Sequence, residues 1–430
     1  MKKYLIAAAV LVIALAIAPL AIGKLAERRM NAGLDLMVKE VPYLSIVERN
    51  YHTGWFASEM DVTLAFFSGL GAPDNLAPRI VMHNTILHGP ILGSGIGLAR
   101  VSTRFESPRS TPLEHRKSFG GDDRFNITTT IGFAGGARTV VSGEAYEFQS
   151  AKESKSWDAL KLVIETSSNG DSFSIDGKWP RASGRDEDGA SYAFRNLVVM
   201  GSGKRIAGDV FDTDLEMMVD EFKMTEGEDS VRVEKLRYAG STEPKGEFVD
   251  LGIKVGCGRI ESKNLNLVEA HYDFTMRHVH VATWDKFMTA VKASSAEPST
   301  AYQKMGLELL EHEPEFAIER ISFSTEEGTG TLKGVVRLKG VTAADLEAGA
   351  MALIARVVAD LDLDVSEAML AKLSGNTQAA DGMVKEGFAE RREGHLVSKI
   401  VFQDGKLLIN GKEQALPGVG GPAPQPAMPE

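Results

Sequence analysis

Few side chains in this sequence combine the type and the spacing that chemistry needs, and none completes a site. In His278-Val279-His280 the two imidazoles stand two residues apart, so on a strand they would share a face and could reach one metal ion. His271, seven residues earlier, falls on the opposite face of a regular strand. Without a nearby carboxylate partner, the pair reads as two polar-face histidines rather than a metal centre. Asp360, Asp362 and Asp364 likewise share one strand face, with ~6.6 Å between successive side chains. That spacing is loose for a single calcium ion without loop carbonyls, and the three read as a solvated face. Gly93-Ser94-Gly95-Ile96-Gly97 is not followed by Gly-Lys-Ser/Thr or by a helix, so it is a turn and not a phosphate loop. Gly-x-Ser-x-Gly, Ser-x-x-Lys and His-Glu-x-x-His are absent, as is any cofactor motif. Catalytic residues scattered along a chain escape such a search. An envelope hydrolase using His88 or the His278/His280 pair as an acid–base site therefore stands as the alternative to a non-enzymatic protein.

The elements that must position these residues are mostly strands. The chain has 430 residues, 43% of them apolar, which is enough for a substantial core. From Ser45 onward apolar and polar residues alternate with period two over residues 45–51, 56–67, 80–88, 96–105 and 138–148. Ser68-Gly69-Leu70-Gly71 and Gly120-Gly121-Asp122-Asp123 are turn clusters between them. The series continues over 160–165, 173–179, 192–200, 211–224, 231–238, 248–255 and 265–281. So many consecutive strands with short polar turns imply antiparallel meanders with one apolar and one polar face. Helices come late. Trp284, Phe287, Met288 and Val291 form one stripe, and residues 305–312, 343–355, 369–373 and 379–391 follow, interleaved with strands at 315–324, 331–338, 357–365, 395–402 and 407–409. The strand-into-helix pattern of residues 279–291 recurs at 361–373. Cys257 extends the alternation Val249, Leu251, Ile253, Val255 and is a small core residue on an apolar strand face. As the only cysteine it allows no internal disulfide.

Ahead of the strands, Tyr4 to Ile22 holds nineteen residues without a charge, about 28 Å of helix against a hydrocarbon core of ~30 Å. Met1-Lys2-Lys3 would keep the N-terminus cytoplasmic and place the body outside. A cleaved signal peptide is the competing account, but its apolar region is shorter and the Ala16-Ile17-Ala18 site precedes Pro19, a poor residue to cleave before. The spacing of Leu25, Met30, Leu34, Met37 and Val38 continues the helix as a short stalk to about Lys39, where Pro42 ends it. The expected organisation is an anchor and stalk over 1–41, an antiparallel β body over 42–283, a helical insertion over 284–313, a β/α part of the same body over 314–412, and a flexible tail over 413–430. The formal charge is −11; five cations against Glu27 in the first 29 residues leave −15 on the remainder. A body that acidic does not bind nucleic acid through its general field.

Three motifs then stand out: Asn50-Tyr51-His52-Thr53-Gly54-Trp55-Phe56-Ala57-Ser58, His88-Gly89-Pro90, and Asp404-Gly405-Lys406-Leu407-Leu408-Ile409-Asn410-Gly411-Lys412. In this order, behind a Lys-Lys anchor, they resemble the YdgA-like family of Gram-negative envelope proteins, a domain of unknown function, over nearly the whole chain. The resemblance implies an inner-membrane tether and a periplasmic body, and it implies no established activity and no catalytic residues. The chain departs from the family in a shorter helical insertion near 284–312 and in its Pro-rich tail. Physically, Gly54 and Gly89 suit bends between strands, Trp55 and Phe56 suit the sheet edge nearest the stalk, and Asn410-Gly411 suits a tight turn. The fold class expected is mainly β with subordinate helices: an N-terminal transmembrane helix, then a long curved, mostly antiparallel sheet. A sheet with one apolar face and too few helices to cover it must curl, form a homo-oligomer, or bind lipid or an envelope protein.

Overall fold

The computed structural model describes residues 19, 22–35, 37–38, 41, 44–66, 79–93, 95–106, 124–263, 265–293, 300–348 and 350–414. Of Tyr4 to Ile22, only Pro19 and Ile22 fall among them, and residues 415–430 of the expected tail lie outside. Among the described residues no helix is long and apolar enough to cross a membrane. The chain forms two compact units built from separate segments: Met1–Arg205 with Leu215–Asp229 and Lys292–Ala296, and Ile206–Asp214 with Ser230–Val291 and Glu297–Glu430.

In the first unit, strands β1 (Leu44–Thr53), β2 (Ala57–Phe66), β3 (Arg79–His88), β4 (Ala99–Glu106), β5 (Phe125–Ile131) and β6 (Ala137–Gly143) form an antiparallel meander. After β7 (Tyr146–Gln149) and β8 (Ser154–Trp157), β9 (Leu160–Thr166) pairs with β6 and with β10 (Ser172–Arg185), which pairs with β11 (Ser191–Ala207). The far end of β10 extends beyond β9 and takes β8 as its partner there. Helix α1 (residues 22–35) does not stand off as a stalk. Its apolar stripe of Ala26, Met30 and Leu34 lies on the sheet, against a buried cluster that includes Met60, Val62, Leu64, Ile86 and Val101. Arg49 fixes its register by donating to Asn31 at 3.0 Å and to Asp35 at 2.7 Å. Helix periodicity says which face is apolar; only the tertiary structure says that the sheet, not a membrane-side linker, receives it.

β12 (Val210–Glu226) contributes residues to both units. The second unit continues with β13 (Asp229–Lys245), β14 (Phe248–Cys257), the short β15 (Arg259–Ser262) and β16 (Asn266–Leu267), and β17 (Glu269–His280). Helices α2 (Val281–Ala293) and α3 (Thr300–Leu310) precede the hairpin β18 (Glu315–Thr325) and β19 (Gly328–Leu338). Then come α4 (Ala343–Ala348), α5 (Ala350–Ile354), β20 (Val357–Ser366), α6 (Glu367–Ser374), α7 (Ala379–Lys385), β21 (Glu390–Arg392), β22 (His395–Gln403), β23 (Lys406–Ile409) and β24 (Lys412–Gln414). The ladder runs β13-β14-β17-β18-β19-β20-β22-β23, antiparallel throughout.

The recurring strand-into-helix pattern has a structural counterpart. β17 runs directly into α2 and β20 directly into α6. In each, the first helical N–H donates to a turn carbonyl beside the neighbouring strand: Val281 to Glu247 and Glu367 to Gly394, both at 3.0 Å.

The sequence periodicity missed β5, β8, β15, β21 and β24, and ran β6 and β7 together as one strand over 138–148. β5 is rich in threonine (Phe125-Asn-Ile-Thr-Thr-Thr-Ile131), which blurs the apolar alternation, and the break between β6 and β7 is the buried Gly143 followed by Glu144-Ala145. The expected helix over 379–391 stops at Lys385 and gives way to β21. A further regularity was present in the sequence: β11, β12 and β13 each have 17 residues, and their turns carry Gly208, Gly227 and Gly246, nineteen apart and all at positive φ. Replacing the fully buried Ile86 by Ala should cost about 2–5 kcal/mol, whereas Phe56→Ala, on an exposed turn, should stay within about 0.5 kcal/mol of wild type. Urea denaturation of both variants checks this.

Candidate functional site

The residues of the first two motifs come together at one end of the first unit's sheet. Tyr51 lies two residues before the end of β1, Gly54, Trp55 and Phe56 make the β1–β2 connection, and His88 ends β3 with Gly89 and Pro90 after it. His88 is buried. Its Nδ1 lies 3.2 Å from the Trp55 carbonyl and its Nε2 3.0 Å from the hydroxyl of buried Ser58, so the tautomer that satisfies both donates from Nδ1 and accepts at Nε2. Its backbone N–H donates to the Phe56 carbonyl at 2.8 Å. A Cβ on Gly89 would overlap the Gly97 carbonyl, so this bend admits only glycine. Above the imidazole lies Gly23 of α1, whose carbonyl accepts from the Tyr51 hydroxyl at 3.2 Å. His88 therefore ties the two connections and the helix together, with both ring nitrogens engaged inside the protein. Trp55 and Phe56, expected to seal this edge, are exposed instead, at 50% and 65%.

Asn410 and Gly411 belong to the second unit, where they form the two-residue turn between β23 and β24 with both φ angles positive. Asn410 also grips β22: its N–H donates to the Lys399 carbonyl at 2.8 Å and its Oδ1 accepts from the Lys399 N–H at 2.9 Å.

His278 and His280 meet a partner that sequence spacing could not show. A bulge shifts the β14/β17 register between Val249 and Leu251, and His278 lies in the left-handed region at φ 60° with its N–H on Asp250 Oδ1 at 3.0 Å. The result is an aromatic cluster around Phe248. His278 stacks on it at 3.8 Å, His280 tilts against it at 5.6 Å, and His312 meets it edge-on at 6.1 Å while stacking on His280 at 4.0 Å. Among the described residues no group of three or more His, Cys, Asp or Glu side chains is arranged to hold a metal ion. Asp360, Asp362 and Asp364 occupy one face, as their spacing requires, and are ion-paired there. Lys399 reaches Asp360 and lies 3.2 Å from Asp362, and His395 lies 2.6 Å from Asp364. Cys257 is buried at the end of β14, and burial pushes its thiol pKa up. Ile253, two alternations back, is exposed.

That exposure belongs to a larger feature. Across the second unit's eight-strand ladder one register row reads Gly240, Ile253, Phe274, Ile318, Gly334, Leu361, Ile400 and Ile409. The row beside it reads Tyr238, Val255, Tyr272, Ile321, Leu332 and Leu363. At the spacing of paired strands the eight-strand row is roughly 34 Å long. Among the described residues, buried apolar clusters form at its two margins, where α2 and α3 cover Val249 and Val279 and α6 and α7 cover Val365 and Leu396. Between them Phe274, Ile318, Leu332 and Leu361 are half-buried, and Tyr238, Ile253 and Tyr272 are exposed. The opposite face carries charge: Glu315 joins Arg277 at 2.7 Å and Arg337 at 2.7 Å, and Arg320 joins Asp273 at 3.0 Å.

Such a fold defines a mainly β protein built on antiparallel sheet with one apolar and one charged face. The chain belongs to DUF945, a family of bacterial proteins of unknown function, whose model matches residues 1–417. No curated protein and no solved structure matches it.

Burial, followed by the neighbouring charge of His280, lowers the pKa of His312. Its unfolded form then binds protons that the folded form does not, so stability falls as pH drops from the usual histidine range near 6.5 toward the depressed value. His312→Gln should flatten this acid limb, read as the urea midpoint between pH 7.5 and 5.5.

Proposed function

We propose that this chain is a Gram-negative envelope protein of the YdgA-like type, held in the inner membrane by Tyr4 to Ile22 with its body in the periplasm. Its function is to bind lipid on the apolar face of its sheet, without catalysis. The observation that carries this reading is the eight-strand apolar surface of the second unit, half-buried or exposed along its middle. Water over so many Phe, Ile, Leu and Tyr side chains is unfavourable by about 25 cal/mol for each Å² of apolar surface, and acyl chains would relieve it without demanding directional partners. The first unit supports the same reading: Ile127, Val141, Leu162, Ile164 and Ile175 continue one apolar face across β5, β6, β9 and β10 beyond the part that α1 covers. An apolar protein segment is the other occupant of this kind. The hydrolase alternative gains nothing specific, since both nitrogens of His88 are committed, His278 stacks on Phe248 and His280 tilts against it.

Full-length protein purified in mild detergent and passed through size exclusion should retain phospholipid by native mass spectrometry. Ile253→Lys, which places a charge at an already exposed position on the apolar face, should lose most of that lipid while its circular dichroism stays unchanged. Wild-type protein that emerges empty, or a variant that keeps its lipid in full, would contradict the proposal.

A further inference from the structure

The six most exposed large apolar side chains among the described residues are Ile91 (75%), Ile96 (73%), Phe56 (65%), Phe133 (55%), Leu25 (51%) and Trp55 (50%). Their positions run from Leu25 to Phe133 in sequence, yet the fold gathers them at one end of the first unit's sheet. Trp55 and Phe56 make the β1–β2 connection, Ile91 and Ile96 pair across the β3–β4 connection, and Phe133 lies in the β5–β6 connection. Alternate turns of an antiparallel meander fall at the same end. Backbone bonds join them there: His88 N–H to the Phe56 carbonyl and Leu98 N–H to the Ile131 carbonyl, each at 2.8 Å. Leu25 arrives from α1, two residues beyond the Gly23 that rests on His88.

We infer that this end is a membrane foot, whose turns sit in the headgroup–acyl boundary of the bilayer that Tyr4 to Ile22 enters. The inference rests on the anchored reading of that segment and adds a second, independent contact with the lipid. The uncharged run ends at Ile22, the first residue of α1, and the next residue, Gly23, is already against His88. The chain thus leaves the apolar segment within about one helical turn of the patch. Side chains this exposed project outward rather than line a groove, so a broad surface fits them better than a single bound molecule. Their chemistry suits that surface. Trp and Phe on turn tips are the side chains that settle at a bilayer interface. A soluble surface gives no reason to concentrate its most exposed apolar residues in one place.

The test uses full-length protein with Cys257→Ser, reconstituted into phosphatidylethanolamine/phosphatidylglycerol vesicles and labelled with an environment-sensitive fluorophore at Phe56→Cys or Ile91→Cys. Val47→Cys, also exposed but six residues back along β1, is the control. The foot predicts blue-shifted emission at both tip positions, quenching by spin-labelled lipid and protection from iodide, with the reverse at Val47→Cys. Iodide quenching of the tips equal to that of the control would overturn it by placing them in water. Protection from both quenchers would overturn it by placing them against protein, a second copy included. Carbonate extraction of the same vesicles separates the two claims. Release of the protein would refute the anchored reading itself, whereas retention with water-exposed tips would refute the foot alone.

Discussion

The one-sided character of its antiparallel sheets is the constraint on which the rest of this structure depends. Alternation with period two sends apolar residues to one face and charges to the other, so the apolar face must find cover. Helices supply that cover only in patches: α1 over β1 to β4, α2 and α3 at one margin of the second unit's ladder, α6 and α7 at the other. What remains is too long to be an accident of one exposed side chain and too continuous to be ordinary surface.

The polar face does different work. Its ion pairs, such as Arg277 and Arg337 on Glu315 or Lys399 with Asp360 and Asp362, are partly exposed, and each contributes at most about 1 kcal/mol. Their value is in specificity. A one-residue slip of any strand would carry charges such as Asp362 to the apolar face and Leu361 to water, so the charge ladder and the apolar rows specify the same register. Bulges at Val249/Leu251 and Ile318/Ile321 are the places where the ladder departs from it, and the first of these turns His278 onto Phe248.

Much of this architecture was legible in the sequence, because alternation over ten or more residues is a strong signal. The second unit's strands β17 to β20 and β22, and the direct passage of β17 and β20 into helices, are examples. β5 was not legible, since its three consecutive threonines carry no contrast between faces, and β8 and β21 are too short for a period to register. The nineteen-residue spacing of Gly208, Gly227 and Gly246 was readable as a turn repeat but is masked by the longer-range variety of the strands between them. The motif residues were visible as motifs, while their geometry was not: nothing in the order of residues says that His88 lies under Gly23 or that His312 completes a cluster with His278 and His280. Those contacts depend on register and on a bulge, which are tertiary facts.

We propose that lipid occupies the apolar face of the sheet. Site-specific photo-crosslinking tests it directly, with benzoylphenylalanine replacing Phe274 or Leu361 on the apolar face and Asp362 on the charged one, in cells expressing the full-length chain. Lipid adducts at Phe274 and Leu361 but not at Asp362 are the predicted result. Adducts to protein alone at the two apolar positions, or equal lipid labelling on both faces, would contradict it.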